Sequence, residues 1–255
     1  MITICIAAEK GGVGKTTTAV NLAYGLVLLD KSVCLIDLDA QGHATEWLGF
    51  SSRTEEDDAG TNLVEAVAGE AVLRPVLSEF GVFVCRGGEQ VTRFESVVSG
   101  QTEPQKRLKA AIHASGLAFD FILIDTSPSV AASVVNAIVA SDYLLIPATC
   151  NRFGQSGVDK TIGLLEDLRE IGVTTALLGV LPTQYNRSTT IGAVSFENFQ
   201  NSDIALEAYT RQNVALTEAF SEQQPIQIYA PKSNGAADYS ALAQEIVRLT
   251  TRGQK

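Results

Sequence analysis

Glu9-Lys10-Gly11-Gly12-Val13-Gly14-Lys15-Thr16-Thr17 is the stretch on which the fold turns. An apolar run of strand length, Ile2 to Ala8, leads into it, and a helix-like stretch, Thr16 to Leu29, leads out. Gly11, Gly12 and Gly14 lack a Cβ and can take positive φ, so successive backbone N–H groups can converge on one anion. The helix N-terminus that follows adds its partial positive charge. In that setting Lys15 bridges the terminal phosphates of a nucleotide and the Thr16 hydroxyl holds Mg²⁺. Gly11, Gly12, Val13, Gly14, Lys15, Thr16 and Thr17 therefore read as a nucleotide-binding loop. The general form of such a loop has glycine at position 9; Glu9 stands there instead, and a second cation, Lys10, follows it.

Working outward, strand-like apolar runs alternate with helical patterns. The runs are Ile2 to Ala8, Val33 to Asp37, Val82 to Arg86, Phe121 to Asp125, Tyr143 to Ala148 and Ala176 to Pro182. Their continuous apolarity, without period-two alternation, predicts strands buried on both faces. Helical stretches between and after them include Thr16 to Leu29, Ala131 to Ala140, Gly157 to Ile171 and Asp238 to Thr250. The alternation predicts an α/β fold, a doubly wound and mostly parallel sheet flanked by helices, with ligands at the carboxyl ends of the strands. Residues 51 to 62 and 86 to 105 lack periodicity and read as surface excursions, and Ala205 to Tyr209 is a candidate further strand.

A chain of 255 residues, 45% apolar and 19% charged, suits a single domain spanning 1–255 with a full core. No apolar run approaches the ~20 residues that cross a bilayer, and no secretory leader pattern opens the chain, which points to the cytoplasm. Cys5, Cys34, Cys85 and Cys150 sit in or beside strand-like runs without metal-ligand spacing, so buried reduced thiols are expected. The net charge of −10 argues against indiscriminate nucleic-acid binding by the whole surface, although a local basic face remains compatible with it. Part of that charge lies in the run Glu55-Glu56-Asp57-Asp58, read as a solvated loop.

A Mg-nucleotide site needs carboxylates at strand ends. Asp37 and Asp39 close one apolar run at i and i+2, on the same side if strand geometry persists, and Asp125 closes another. With these residues in place the chain resembles the ParA/MinD group of deviant Walker A ATPases. The resemblance rests on Lys10 to Thr17, Leu35-Ile-Asp37-Leu-Asp39-Ala-Gln41-Gly42-His-Ala-Thr45 and Ile122 to Asp125. It continues at Gly179 to Arg187, at Asn213 to Ala219 and at Tyr229 to Tyr239, and so covers nearly the whole chain. Within the group the pattern is closest to ParA-type partition ATPases.

The resemblance implies an ATP- and Mg²⁺-dependent ATPase working as a homodimer, with Lys10 crossing the interface to the partner's nucleotide. Lys10, Lys15 and Asp39 match catalytic positions, Asp39 placing the attacking water. Thr16, Asp37 and Asp125 match positions near Mg²⁺, and Asn186 a position near the adenine. The cysteines that electron-transfer and cluster-assembly relatives use are missing, and the tail from Leu249 to Lys255 has no lipid-binding apolar face, so no membrane partner is expected. A ParA-type protein binds non-specific DNA as its ATP dimer, is stimulated by a ParB-like partner, and is nucleoid-associated when ATP-bound. Here Ala215 and Gln212 stand where relatives often carry basic residues, and Asn234 replaces another arginine. Arg211, Lys232, Arg248, Arg252 and Lys255 are the remaining DNA-binding candidates. The alternative is an ATPase that positions or regulates a protein assembly, or patterns a division site as MinD-like proteins do, with little direct DNA binding.

Overall fold

The computed structural model describes residues 1–53, 62–128, 131–152 and 154–252; the acidic run Glu55 to Asp58 and the candidate Lys255 lie outside them. In chain order the elements begin β1 (Ile2–Ile6), α1 (Lys15–Val27), β2 (Val33–Leu38), α2 (His43–Trp47), α3 (Leu63–Ala68), β3 (Val76–Leu77) and β4 (Phe83–Cys85). They continue as α4 (Phe94–Ser99), α5 (Arg107–Ala114), β5 (Phe121–Thr126), α6 (Ala132–Ala140), β6 (Tyr143–Thr149), α7 (Gly154–Glu170) and β7 (Ala176–Thr183). The last are α8 (Thr190–Gln200), α9 (Ala215–Ser221), α10 (Ile226–Tyr229) and α11 (Asn234–Arg252).

The seven strands form one sheet in the order β3-β4-β2-β5-β1-β6-β7. Every neighbouring pair is parallel except β3 with β4. Alternate residues of the central strands enter two separate cores. Cys5, Ile36, Ile122 and Ile124 pack with α3 to α8 through Leu63, Phe94, Leu108, Ala137, Leu165 and Phe199. Ile4, Ile6, Leu35 and Leu123 pack on the other face with Leu22 and Leu26 of α1, Trp47 of α2 and Tyr239, Leu242 and Ile246 of α11. Burial on both faces is why these strands read as unbroken apolar runs. All four cysteines are buried free thiols, as their setting predicts.

The segment 86–105 departs from the expected surface excursion. It holds a 3₁₀ turn, Glu89–Arg93, and α4, whose Phe94 and Val98 are buried one helical turn apart in the first core. A six-residue helix is too short to announce itself by periodicity. Ala205 to Tyr209 runs alongside β7 as a fragmentary edge, with bridges at Val180–Ala205 and Tyr185–Arg211. Its outward amides are taken by α11: Glu245 accepts from Glu207 N at 3.0 Å and Ala208 N at 2.7 Å, and Asp238 accepts from Arg211 N at 2.9 Å. These carboxylates close an edge that otherwise offers backbone donors to another chain.

Candidate functional site

The register of the sheet assembles the centre of the site. Ile6 of β1 pairs with Asp125 of β5, and Asp125 with Asp37 of β2, so three strand ends lie level at the carboxyl edge. The 9–17 loop leaves β1 three residues beyond Ile6. Gly12 (φ 73°) and Gly14 (φ 93°) take the left-handed conformation that the loop requires; Gly11 does not. Gly14 is also the N-cap of α1, and having no side chain it leaves the helix N-terminus open, with no acidic residue in the first turn to fill it.

Within this loop Lys15 is buried, and its ammonium donates to the Lys10 carbonyl at 3.2 Å. Burial pushes its pKa down, against the opposing pull of Asp125 and Asp39. The loop's own carbonyls are held from β7's end: Thr183 Oγ1 donates to Val13 O at 2.8 Å and Gln184 Nε2 to Gly12 O at 2.7 Å. Neither residue stood out in the sequence, because each acts across the sheet and no local pattern marks it. Glu9, in the place of the usual glycine, docks the loop on α7, its amide reaching Thr161 Oγ1 at 3.4 Å and its carboxylate Lys160 at 3.9 Å. Lys10 is half-buried, and its Cβ lies 3.8 Å from where a Cβ on Gly157 of α7 would stand.

The three aspartates, alike in sequence, differ in what they touch. Asp37 is fully buried and committed: it accepts from Asp39 N (3.0 Å), Thr45 N (2.9 Å) and Thr45 Oγ1 (2.7 Å). Gly87 backs it so closely that a Cβ there would come 2.6 Å from Asp37 Cγ. Burial raises its pKa to about 6, despite the Thr45 and Asp39 donors. Asp125 is equally buried, and among the described residues neither carboxylate oxygen has a hydrogen bond of ordinary length. Burial first, then Asp37, holds its pKa well above the usual carboxylate range; Thr16 and Lys15 beside it pull the other way. Asp39 is half-exposed, its Oδ1 accepting from Gln41 N at 3.0 Å in a tight turn.

A cleft of about 480 Å³ opens beside the loop, bounded by Gly14, Thr16 and Thr17 at one end and by Gln212, Val214 and Phe220 further out. His43 and Trp47 complete an aromatic wall with Phe220, at centroid distances of 5.7 and 5.2 Å from it. Asn186 stands beyond, in an adjoining hollow that shares Arg211, Gln212 and Val214 with the cleft. The turn carries Asn186's side chain, whose Oδ1 accepts from Ser188 N (3.0 Å) and Ser188 Oγ (2.6 Å) and whose Nδ2 donates to Gln212 Oε1 (2.9 Å).

The structure gathers Lys15, Thr16, Asp37, Asp39 and Asp125 at one place; among the described residues, Arg211 and Arg248 are each paired with carboxylates. Arg211 is clamped on the buried Asp238, its Nε 3.1 Å from both carboxylate oxygens. Arg248 pairs with Glu207 at 3.0 Å and Glu245 at 3.5 Å. Lys232 is exposed in the loop before α11, and Arg252 is the last residue of that helix. Among the described residues no cluster of three or more His, Cys, Asp or Glu side chains is arranged to hold a metal unaided, and no helix is long and apolar enough to cross a membrane.

Residues 1–177 match a family described as an AAA domain. The sporulation initiation inhibitor protein Soj of Bacillus subtilis is 32% identical over 246 residues, covering 95% of this chain and 97% of its own. The chromosome partitioning protein ParA of Myxococcus xanthus is 29% identical over 254 residues, covering 97% of this chain and 88% of its own. Among solved structures, the cobyrinic acid a,c-diamide synthase of Mycobacterium smegmatis, with bound ADP and magnesium, aligns with a TM-score of 0.83 at 24% identity, over 100% of this chain and 97% of that one. At that identity the likeness speaks for the fold.

Proposed function

The chain belongs to the ParA/MinD family of P-loop ATPases, and from that premise we propose that it hydrolyses ATP with Mg²⁺ and uses the ATP-bound state to form a homodimer that carries or positions cargo. The observation that carries this reading is the buried Lys15 at the open N-terminus of α1, facing an Asp125 whose two oxygens have no hydrogen bond of ordinary length among the described residues. A buried lysine with a depressed pKa at a helix N-terminus that has no side-chain cap and no acidic residue in its first turn is completed by a polyphosphate.

An unpartnered buried carboxylate beside a threonine hydroxyl suits a hard divalent cation, which takes one or two protein oxygens and fills its shell with phosphate and water. Thr16 and Asp125 would hold Mg²⁺, with Asp37 behind them organising the turn that carries Asp39; the ion would neutralise charge on the phosphates. Lys15 neutralises phosphate charge from the loop side. Asp39, half-exposed with one oxygen tied to the turn, orients the attacking water with the other. Lys10 adds a cation to the partner subunit's site once two copies meet, which couples hydrolysis to association.

For the cargo we favour DNA, bound without sequence preference by the ATP dimer and released on hydrolysis stimulated by a ParB-like partner. The carboxylates on Arg211 and Arg248 favour the second reading, an ATPase that positions a protein assembly and holds DNA weakly. Duplex binding titrated against salt with ATP, ADP or no nucleotide tests this. ATP-dependent binding that falls with salt supports the DNA carrier; no binding at low salt with ATP refutes it. Lys10→Ala should bind ATP as a monomer without efficient hydrolysis, and an unaffected variant would remove its proposed role across the interface.

A further inference from the structure

The amides at the far end of the nucleotide cleft have their orientations set by a backbone group. Ser188 N can only donate, so the atom of Asn186 that it meets at 3.0 Å is the carbonyl oxygen Oδ1. The Ser188 hydroxyl, 2.6 Å away, fills the second acceptor position of that oxygen. Nδ2 of Asn186 is thereby the atom that faces Gln212 at 2.9 Å, and the Gln212 atom it meets must be the acceptor Oε1. Gln212 is left presenting Nε2. Its backbone is pinned as well, its N–H donating to Tyr185 O at 3.0 Å beside the Arg211 clamp on Asp238. Among the described residues no group accepts from Gln212 Nε2, and Gln212 lines both the cleft and the adjoining hollow.

We propose that Gln212, rather than Asn186, is the residue that reads the nucleotide base, and that it does so as a donor to a ring-nitrogen acceptor of the purine. Asn186 is a positioning residue whose amide keeps Gln212 from turning over, and its own oxygen is saturated. The same wiring excludes the opposite polarity: a Gln212 oxygen turned toward the exocyclic amine of adenine would set its amine against Asn186 Nδ2 and lose their hydrogen bond.

This inference rests on the nucleotide reading above, and the experiment separates the two. ATP affinity is measured by titration calorimetry on the full chain for wild type, Gln212→Leu and Asn186→Asp, with ATP and with its 1-deaza, 3-deaza and 7-deaza analogues. Gln212→Leu should weaken ATP about 5- to 10-fold, the size of one hydrogen bond. One deaza analogue should show the same loss with wild type and no further loss with Gln212→Leu, identifying the acceptor. Asn186→Asp keeps the Ser188 contacts and replaces the Nδ2 donor by an acceptor, so Gln212 turns over and ATP binds several-fold more weakly. Gln212 is exposed, so its substitution leaves the core untouched. Wild-type affinity in Gln212→Leu, or equal losses with all three analogues in both proteins, overturns the inference alone. Failure of wild type to bind ATP at all overturns the nucleotide reading and this inference with it.

Discussion

Thr45→Val removes a single oxygen that two buried groups share. Thr45 Oγ1 donates to Asp37 Oδ2 at 2.7 Å and accepts from Gly87 N at 2.9 Å. Valine fills nearly the same volume, so the change is one of polarity. Losing a hydrogen bond to a charged group costs ~1.5–3 kcal/mol, and stranding a buried N–H costs a further ~1–3 kcal/mol. The expected destabilisation at about pH 8 is therefore ~2.5–6 kcal/mol, a large part of the ~5–15 kcal/mol that holds a typical domain together. It should also depend on pH. The folded-state pKa of Asp37 is raised, to about 6 from 3.8, so its stabilising contribution is full below the unfolded value and is lost as pH rises through the folded one. The Thr45 hydroxyl is among the donors restraining that rise, and without it the pKa climbs further. The penalty should shrink by ~1 kcal/mol or more at about pH 5, where Asp37 is protonated and the lost bond is an ordinary neutral one. Urea titrations at both pH values, followed by the fluorescence of Trp47, the chain's single tryptophan and a residue of the same short helix, measure this. A penalty under ~1 kcal/mol at pH 8, or one equal at both pH values, would refute the account of Asp37 as a hydrogen-bonded anchor.

Three further outcomes follow from the same geometry. Asp125→Asn removes a buried charge that has no hydrogen bond of ordinary length among the described residues, so the nucleotide-free protein should gain ~1–3 kcal/mol at about pH 8 while hydrolysis falls ~10²-fold. Because the pKa of Asp125 is raised, that gain should vanish toward acid pH, and thermal melts showing it unchanged there would contradict the assignment. Asp39→Ala should keep ATP binding and accumulate the ATP-bound dimer on size-exclusion with light scattering, since among the described residues the Asp39 carboxylate accepts the Gln41 amide alone; a normal hydrolysis rate would remove its role. Glu207→Gln frees Arg248 of the nearer of its two carboxylates and should steepen the salt dependence of ATP-state DNA binding by up to ~0.9 per subunit; an unchanged slope would place DNA elsewhere.

Much of the fold is legible along the chain because its signals are local. Six apolar runs mark six of the seven strands, and burial on both faces explains their lack of alternation. The seventh, Val76–Leu77, is two residues long and too short to carry a pattern. Helix α4 hides for the same reason, its Phe94 reaching the core from a stretch without periodicity. Of the site, the loop and its level with Asp37 and Asp125 follow from one rule about strand ends. The roles of Gln184 and Gln212 were not legible, because what singles them out is a hydrogen bond to a residue far away in the sequence.

That a phosphate-binding loop joins a buried strand to a helix is readable from neighbouring residues alone, since glycine's freedom at φ and the order strand, loop, helix are local properties. How similar side chains differ depends on the packed fold. Asp37 is bound by Thr45 and backed by Gly87, fifty residues on, whereas among the described residues neither oxygen of Asp125 has a hydrogen bond of ordinary length. The side-chain oxygen of Asn186 is saturated by its own turn, and Arg211 and Arg248 are met by carboxylates of α11 and the edge beside it. The physical reason is that burial and hydrogen-bond saturation depend on what the fold brings within about 3 Å, and no residue carries that information alone.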